Sequence, residues 1–274
     1  MSSPTITTAK AAPPADILPR ASFAAIAFYA SDKLRFFQFP EPVCREGAAQ
    51  VIRASWPDGI QGETYHVGTA AYEYKLGGRP FGSTGEAAGL GARVLVRNLL
   101  AYLHSLGWLL DASLSQARDV ASKDTLIFRQ PRGGEPEPEP EPPAGPQPRW
   151  MAIALTSGDR LRFLGGCGDG DGEGTMIGTM RRELQGLGLL ARGQRETDPG
   201  LTAGSVEAGY EFKLKRSMWR AEFGENVLQA RVLTLRVAEV LDSFGWRSYA
   251  TVRQREGVES FIKTDTWYFI NTGE

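Results

Sequence analysis

The residues with the clearest catalytic pattern lie in the first half of the chain, where Pro57-Asp58 is followed by Glu73-Tyr74-Lys75. Two carboxylates at this spacing could hold a divalent ion, and the lysine could steady the attacking water. Side chains alternate along a β-strand, so Glu73 and Lys75 would lie on one face, as that chemistry requires. Asp58, Glu73 and Lys75 therefore form a candidate catalytic set for a divalent-metal-dependent nuclease or phosphoesterase.

The second half of the chain weakens this hypothesis. It repeats the strand with Glu211 and Lys213, but it carries Asp198-Pro199 in the place of Pro-Asp. The string is short, and it is similar to one in a large superfamily of metal-dependent nucleases. The order of elements around the string, with a hairpin before the first helix, does not match that superfamily well. The structural alternative is that Glu73 and Lys75 cover the solvent side of a sheet, or pair with Arg93 of the covering helix, and we favour it.

A basic segment in the second half is the foremost candidate binding site. It combines four cations with one aromatic ring: Lys213, Lys215, Arg216, Trp219 and Arg220. Cations beside an aromatic ring at a helix N-terminus can hold an anion or stack on a nucleobase. Trp and Arg are also over-represented where proteins bind one another. The structural alternative is that Trp219 packs over the edge of the fold while the cations stay in solvent.

Composition argues against most other chemistry. The 274 residues include only two histidines, so a histidine-based triad or a multi-histidine zinc site is not expected. The two cysteines, Cys44 and Cys167, are expected to be reduced thiols. The net charge of −1 gives no overall attraction to nucleic acid or to an anionic membrane. We expect no cofactor and no membrane association. The favoured hypothesis is a soluble, cytoplasmic, non-catalytic binding or scaffold protein with a protein partner; an anion or nucleic-acid binder is an alternative.

The elements that position these residues occur twice. Residues 72–76 read YEYKL and residues 210–214 read YEFKL. Three further blocks recur in the same order: AAIAFYASDKLRFF with MAIALTSGDRLRFL, GARVLVRNLLAYLHSLGW with QARVLTLRVAEVLDSFGW, and KDTLIF with TDTWYF. Self-similarity over a whole domain indicates duplication.

Each copy predicts the element order ββαβαββ. Alternating apolar residues indicate an opening hairpin, the YE(Y/F)KL strand and two closing strands. Apolar residues at helical spacing, such as Leu95, Leu99 and Leu103, indicate a long helix after that strand. Gly107 and Gly245 lie at the predicted C-terminal ends of the long helices, where a residue in the left-handed conformation caps the helix, and each precedes a tryptophan. The fold class predicted is α+β, a tandem duplication in which each mostly antiparallel sheet carries two helices on one face.

Four segments follow from this pattern. Residues 1–20 are predicted to be a disordered lead-in, and residues 21–130 and 150–272 the two modules. Between them, residues 131–149 are rich in alternating Glu and Pro, which cannot build a core and stiffen the chain into an extended spacer.

The pattern of a hairpin, YE(Y/F)KL, a long helix ending in Gly-Trp, and an Asp-Thr-aromatic strand resembles a family of uncharacterised eukaryotic proteins, largely fungal. The resemblance covers both modules and implies no particular activity.

Overall fold

The computed structural model describes residues 21–82, 86–115, 122–131, 147–167, 172–191, 209–220, 225–255 and 263–273. The predicted lead-in and most of the predicted spacer lie outside these ranges. The described part contains two antiparallel sheets and four α-helices. The predicted α+β class and the duplicated module are therefore confirmed.

The first sheet has six strands. They are β1 (Ala21–Tyr29), β2 (Lys33–Phe37), β3 (Ile60–His66), β4 (Ala71–Leu76), β5 (Leu109–Ser115) and β6 (Ser122–Pro131). Their order across the sheet is β3-β4-β2-β1-β6-β5, and every neighbouring pair is antiparallel. Helices α1 (Ala49–Ser55) and α2 (Glu86–Ser105) pack on one face.

The second sheet has five strands and repeats the first. They are β7 (Arg149–Thr156), β8 (Arg160–Leu164), β9 (Gly209–Lys213), β10 (Arg247–Arg255) and β11 (Lys263–Asn271), with helices α3 (Met176–Gly186) and α4 (Glu225–Ser243). The strand order is β10-β11-β7-β8-β9. No helix in the described part of the chain is both long and apolar enough to cross a membrane.

Strand β3 is an addition to the predicted element order. Its sequence, IQGETYH, is mostly polar, and none of its residues is fully buried. It pairs with β4 along its length at the edge of the sheet. An edge strand of this kind is held by main-chain hydrogen bonds, so it lacks the apolar alternation by which strands are recognised in a sequence.

The repeated YE(Y/F)KL strand alternates as predicted. The side chains of Tyr74 and Phe212 lie in the two cores, 0% and 2% exposed. The buried hydroxyl of Tyr74 donates a hydrogen bond to the backbone oxygen of Cys44 at 2.6 Å. Glu73 and Glu211 point to the opposite face of each sheet, as the period of two requires.

Both long helices end in the predicted glycine cap. Gly107 and Gly245 each have φ of +76°. The backbone N–H of Trp108 bonds the oxygen of Leu103, and that of Trp246 bonds the oxygen of Leu241, both at 3.0 Å. This is the Schellman arrangement, and it directs each tryptophan back into its core, where it is 3% exposed.

Helix α2 lies between the two sheets. One side of α2 packs on the first sheet, and the same core cluster also includes residues of the second sheet: Ala152, Leu164, Ala250 and Tyr268. The second sheet carries α3 and α4 on its other face. The layers therefore run first sheet, α2, second sheet, α4. One core cluster spans the two modules around α2, and a second cluster lies within the second module.

His104 lies at this junction, and the centre of its ring is 5.5 Å from that of Trp150 and 5.7 Å from that of Tyr249. Burial lowers its pKa. Because the folded pKa is lower, the unfolded chain binds the proton first as pH falls. The free energy of unfolding that depends on this group is therefore fully present above the unfolded pKa of about 6.5 and is lost as pH falls below it.

We expect His104→Phe to lose less stability than the wild type between pH 8 and pH 5. Urea denaturation at both pH values measures this, and identical losses would contradict it.

Candidate functional site

Two arginines of α2 connect the modules. The Nε of Arg93 donates to Oγ1 of Thr266 at 3.0 Å, and Nη1 of Arg97 donates to the backbone oxygen of Leu164 at 3.0 Å. Both arginines are buried, 1% and 2% exposed. Arg93 therefore reaches away from Glu73 and into the second module, which rules out the Arg93–Glu73 pairing considered from the sequence.

Glu73 is held instead by two cations on β2. Nζ of Lys33 lies 2.6 Å from Oε1 of Glu73, and Nε of Arg35 lies 2.5 Å from Oε2. Burial of the carboxyl opposes its ionisation, but the hydrogen bonds from Lys33 and Arg35 outweigh that effect, so the pKa of Glu73 is lowered. The carboxylate is charged, and both oxygens are engaged.

The remaining members of the candidate catalytic set, Asp58 and Lys75, are both exposed. Asp58 is an exposed residue of the loop before β3, and its backbone and carboxylate oxygens lie against Gly77 and Gly78. Lys75 is exposed on β4. Within the described ranges, no group of three or more His, Cys, Asp or Glu residues could hold a metal ion. The nearest charges around Glu73 are positive, which opposes cation binding at this carboxylate.

The same ion-pair arrangement recurs in the second module. Arg160 lies 2.9 Å from Oε1 of Glu211, and Arg162 contacts Oε2. The difference is burial: the side chain of Arg162 is 4% exposed, whereas that of the equivalent Arg35 is 28% exposed. The ion-pair group of the second module lies on the sheet face that packs against α2, and that of the first module lies on an open sheet face.

The basic segment is only partly a free surface. Lys213, Lys215 and Arg216 are exposed, and Arg216 donates to Oδ1 of Asn226 at 3.1 Å. Trp219 is half-buried against the core, and its Nε1 donates to the backbone oxygen of Arg160 at 3.0 Å. The side chain of Arg220 lies outside the described residues. Trp219 thus packs against the fold, as expected if this residue has a structural role.

Phe81 is the equivalent of Trp219 in the first module. The backbone N–H of Phe81 bonds the oxygen of Ser31 at 2.9 Å, and that of Trp219 bonds the oxygen of Gly158 at 3.0 Å. In both modules this main-chain hydrogen bond ties the loop after the repeated strand to the turn of the opening hairpin. Of the basic residues around Trp219, Lys213 has a basic equivalent in Lys75, whereas Lys215, Arg216 and Arg220 align with glycines of the first module.

A pocket of about 560 Å³ lies in the first module beside β3. Its walls include Phe36, Phe39, Tyr65 and Tyr72. The polar groups at its rim bond to one another: the Tyr72 hydroxyl donates to Glu63 at 2.8 Å, and Arg45 pairs with Glu41 at 3.1 Å. The pocket thus combines an aromatic wall with a rim of polar groups that are paired with one another.

The outer face of α4 carries an apolar stripe. Leu228, Val232 and Leu235 follow the helical spacing i, i+4, i+7, and they are 64%, 45% and 62% exposed. The opposite face of α4 supplies Leu233, Val237 and Leu241 to the core. The outer stripe was not predicted from the sequence, because one apolar face already accounts for the packing of a helix on its core. The spacing of these three residues was the available signal.

Comparison with known proteins places the chain in a family. The search of curated proteins and the search of solved structures each found no match. The model of one domain family, of uncharacterised type, matches twice, over residues 22–129 and 149–270. Each match spans one of the two sheets with its helices, and together they cover most of the chain. The chain belongs to this family and contains its domain in two copies.

Proposed function

We propose that the chain is a non-catalytic binding or scaffold protein and that the outer face of α4, defined by Leu228, Val232 and Leu235, is its protein-binding surface. One observation carries the proposal: three large aliphatic side chains at helical spacing stand exposed on a rigid element. Burying a leucine or valine side chain contributes about 1.5–3 kcal/mol. Contiguous exposed apolar surface on a folded protein is typical of a protein interface.

The other candidate sites support this choice by contrast. At the candidate catalytic set, the negative charge of Glu73 is already compensated by ion pairs with Lys33 and Arg35. In the basic segment, Trp219 is hydrogen-bonded to the fold. On α4, by contrast, the stripe residues are not part of the module's own core, because Leu233 and its neighbours on the opposite face of the helix pack there.

The thiols are consistent with a protein of the cell interior. Cys44 and Cys167 are both free, and burial raises the pKa of each to about 12. Each thiol is therefore protonated and unreactive at neutral pH. Free cysteines of this kind are usual where the environment is reducing, so the proposal places the protein in the cytoplasm.

Comparative capture tests the proposed surface. The tagged full-length chain and the double variant Leu228→Lys, Leu235→Lys would be used as baits in extracts of the native cell, after unfolding curves show equal stability. We expect the partner bound by the wild type to be lost from the variant by at least tenfold. Val67→Lys is the matched control, because Val67 is 82% exposed outside α4, and it should retain the partner.

Two outcomes would contradict the proposal. One is an unchanged partner set with the double variant. The other is loss of the partner from Lys215→Glu, Arg216→Glu instead, which would assign binding to the basic segment.

A further inference from the structure

We propose that the partner of the α4 outer face is the open face of the first sheet of a second copy of this chain, so that copies associate head to tail. The inference rests on the proposed function of α4 and names its partner. It follows from the packing of the two modules inside one chain, where α2 of the first module already covers the second sheet.

The covered face of the second sheet presents two rows of side chains that cross its strands. The first row, read along the pairing register, is Ala250, Tyr268, Ala152 and Leu164. The second row is Val252, Thr266, Ala154, Arg162 and Glu211. All nine residues are buried. The row of small and apolar side chains makes room for α2, and Thr266 accepts the hydrogen bond from Arg93.

The open face of the first sheet presents the same two rows. The first is Ala112, Ile127, Ala25 and Phe37. The second is Leu114, Thr125, Ala27, Arg35 and Glu73. Alanine, threonine, arginine and glutamate recur at identical register positions, and the apolar positions stay apolar. This face therefore has the chemistry of a surface that receives a helix.

Exposure distinguishes the two faces. Leu114 is 41% exposed, whereas its equivalent in the second sheet, Val252, is 1% exposed. On strand β1, Phe23 and Tyr29 point to the same open face and are 46% and 37% exposed. The first sheet thus displays apolar side chains in a pattern that the second sheet keeps covered.

The two long helices show the complementary relation. The α2 residues Leu90, Arg93, Val94 and Arg97 are buried between the sheets. Counting from the repeated Gly-Trp caps, their equivalents in α4 are Leu228, Arg231, Val232 and Leu235, which are all exposed. Arg97 is replaced by Leu235, so the α4 face is more apolar than the α2 face. Arg231 stands where Arg93 reaches Thr266, and in the assembly it would reach Thr125 of the next copy.

The geometry makes the contact heterologous. Each copy carries one exposed helix face at one end of its layers and one open sheet face at the other. A contact that joins two different surfaces leaves one of each unused, so association continues into a ring or an open filament rather than stopping at a symmetric dimer. The stack of layers within one chain would simply continue into the next.

Two single-face variants test this arrangement in the full chain. The helix-face variant is Leu228→Lys, Leu235→Lys, and the sheet-face variant is Phe23→Lys, Leu114→Lys. All four side chains are exposed in the free chain, so unfolding curves should match the wild type. Sedimentation velocity over a range of protein concentrations would follow the mass of each protein, with Val67→Lys as the control.

We expect the wild type and Val67→Lys to associate with increasing concentration and each variant alone to stay at the monomer mass of 29.9 kDa. An equimolar mixture of the two variants should form a complex of twice that mass and nothing larger, because each retains the one face that the other lacks. This complementation is the signature of a head-to-tail contact.

Three outcomes would overturn the inference. They are a wild type that stays monomeric at several hundred micromolar, association that survives in the sheet-face variant, and a mixture of variants that fails to form the double-mass complex. None of these three outcomes by itself contradicts the proposed function. If the helix-face variant still loses a partner in cell extracts, α4 is a binding surface for a different protein, whereas loss of neither partner nor self-association would refute both.

Discussion

Trp246→Ala is expected to lower the free energy of unfolding by about 3–5 kcal/mol, the usual cost of truncating a buried tryptophan. The side chain is 3% exposed and packs against the second core. A Cβ at Gly166 would lie 2.6 Å from its ring, and the guanidinium of Arg149 lies 5.4 Å from the ring centre. One ring therefore joins the end of α4 to strand β7 and the loop after β8, and its removal leaves a cavity that these elements cannot close.

Chemical denaturation of purified protein measures this effect, with Tyr65→Ala as the matched control. Tyr65 is also a large aromatic residue, but it is 56% exposed, so its truncation should cost about 0.5 kcal/mol or less. Trp108→Ala should behave like Trp246→Ala, since its ring packs on Phe39 at 4.9 Å in the first core. A denaturation curve for Trp246→Ala that overlays the wild type would contradict the structural role assigned to this ring.

The second large effect is expected at Glu211. Its carboxylate lies between Arg160 and Arg162, and the Arg162 side chain is 4% exposed. Glu211→Ala leaves the Arg162 charge buried without this carboxylate, which typically costs about 3–5 kcal/mol. Glu73→Ala removes the equivalent carboxylate of the first module. There Lys33 and Arg35 are 30% and 28% exposed and can turn toward water, so about 1 kcal/mol is expected.

The two alanine variants form an internal control, because the register and the neighbouring charges are alike and burial differs. Urea denaturation of the wild type and both variants at one low micromolar protein concentration gives both changes. Equal losses of stability in the two variants would mean that the burial of Arg162 does not set the cost of removing its carboxylate partner.

Several features were determined by local pattern. The YE(Y/F)KL strand, the long helices and the Gly-Trp caps follow from period-two alternation, helical spacing and the positive φ that glycine tolerates, all of which act between residues close in sequence. Repetition of these patterns was enough to predict two α+β modules. Strand β3 was not predicted, because it is polar and held by main-chain pairing. Its side chains therefore lack the alternation of apolar and polar residues that indicates a strand.

The candidate sites depended on contacts that a local pattern does not contain. Glu73 was correctly placed on the outer side of its strand, but its partners, Lys33 and Arg35, came from strand pairing. The pairing with Arg93 considered from the sequence was wrong, because Arg93 faces the other module. The α4 stripe was visible as spacing, yet only its exposure distinguishes a binding face from a second buried one.

The sequence by itself determined that the chain is a duplication and which side of each strand and helix faces its own core. Only the tertiary structure decided what covers the remaining sides. Arg93 and Arg97 of α2 are buried because the second sheet lies over them, while the equivalent face of α4 is exposed. Periodicity reports how side chains are arranged around one element, whereas burial of a second face depends on docking between modules far apart in the chain.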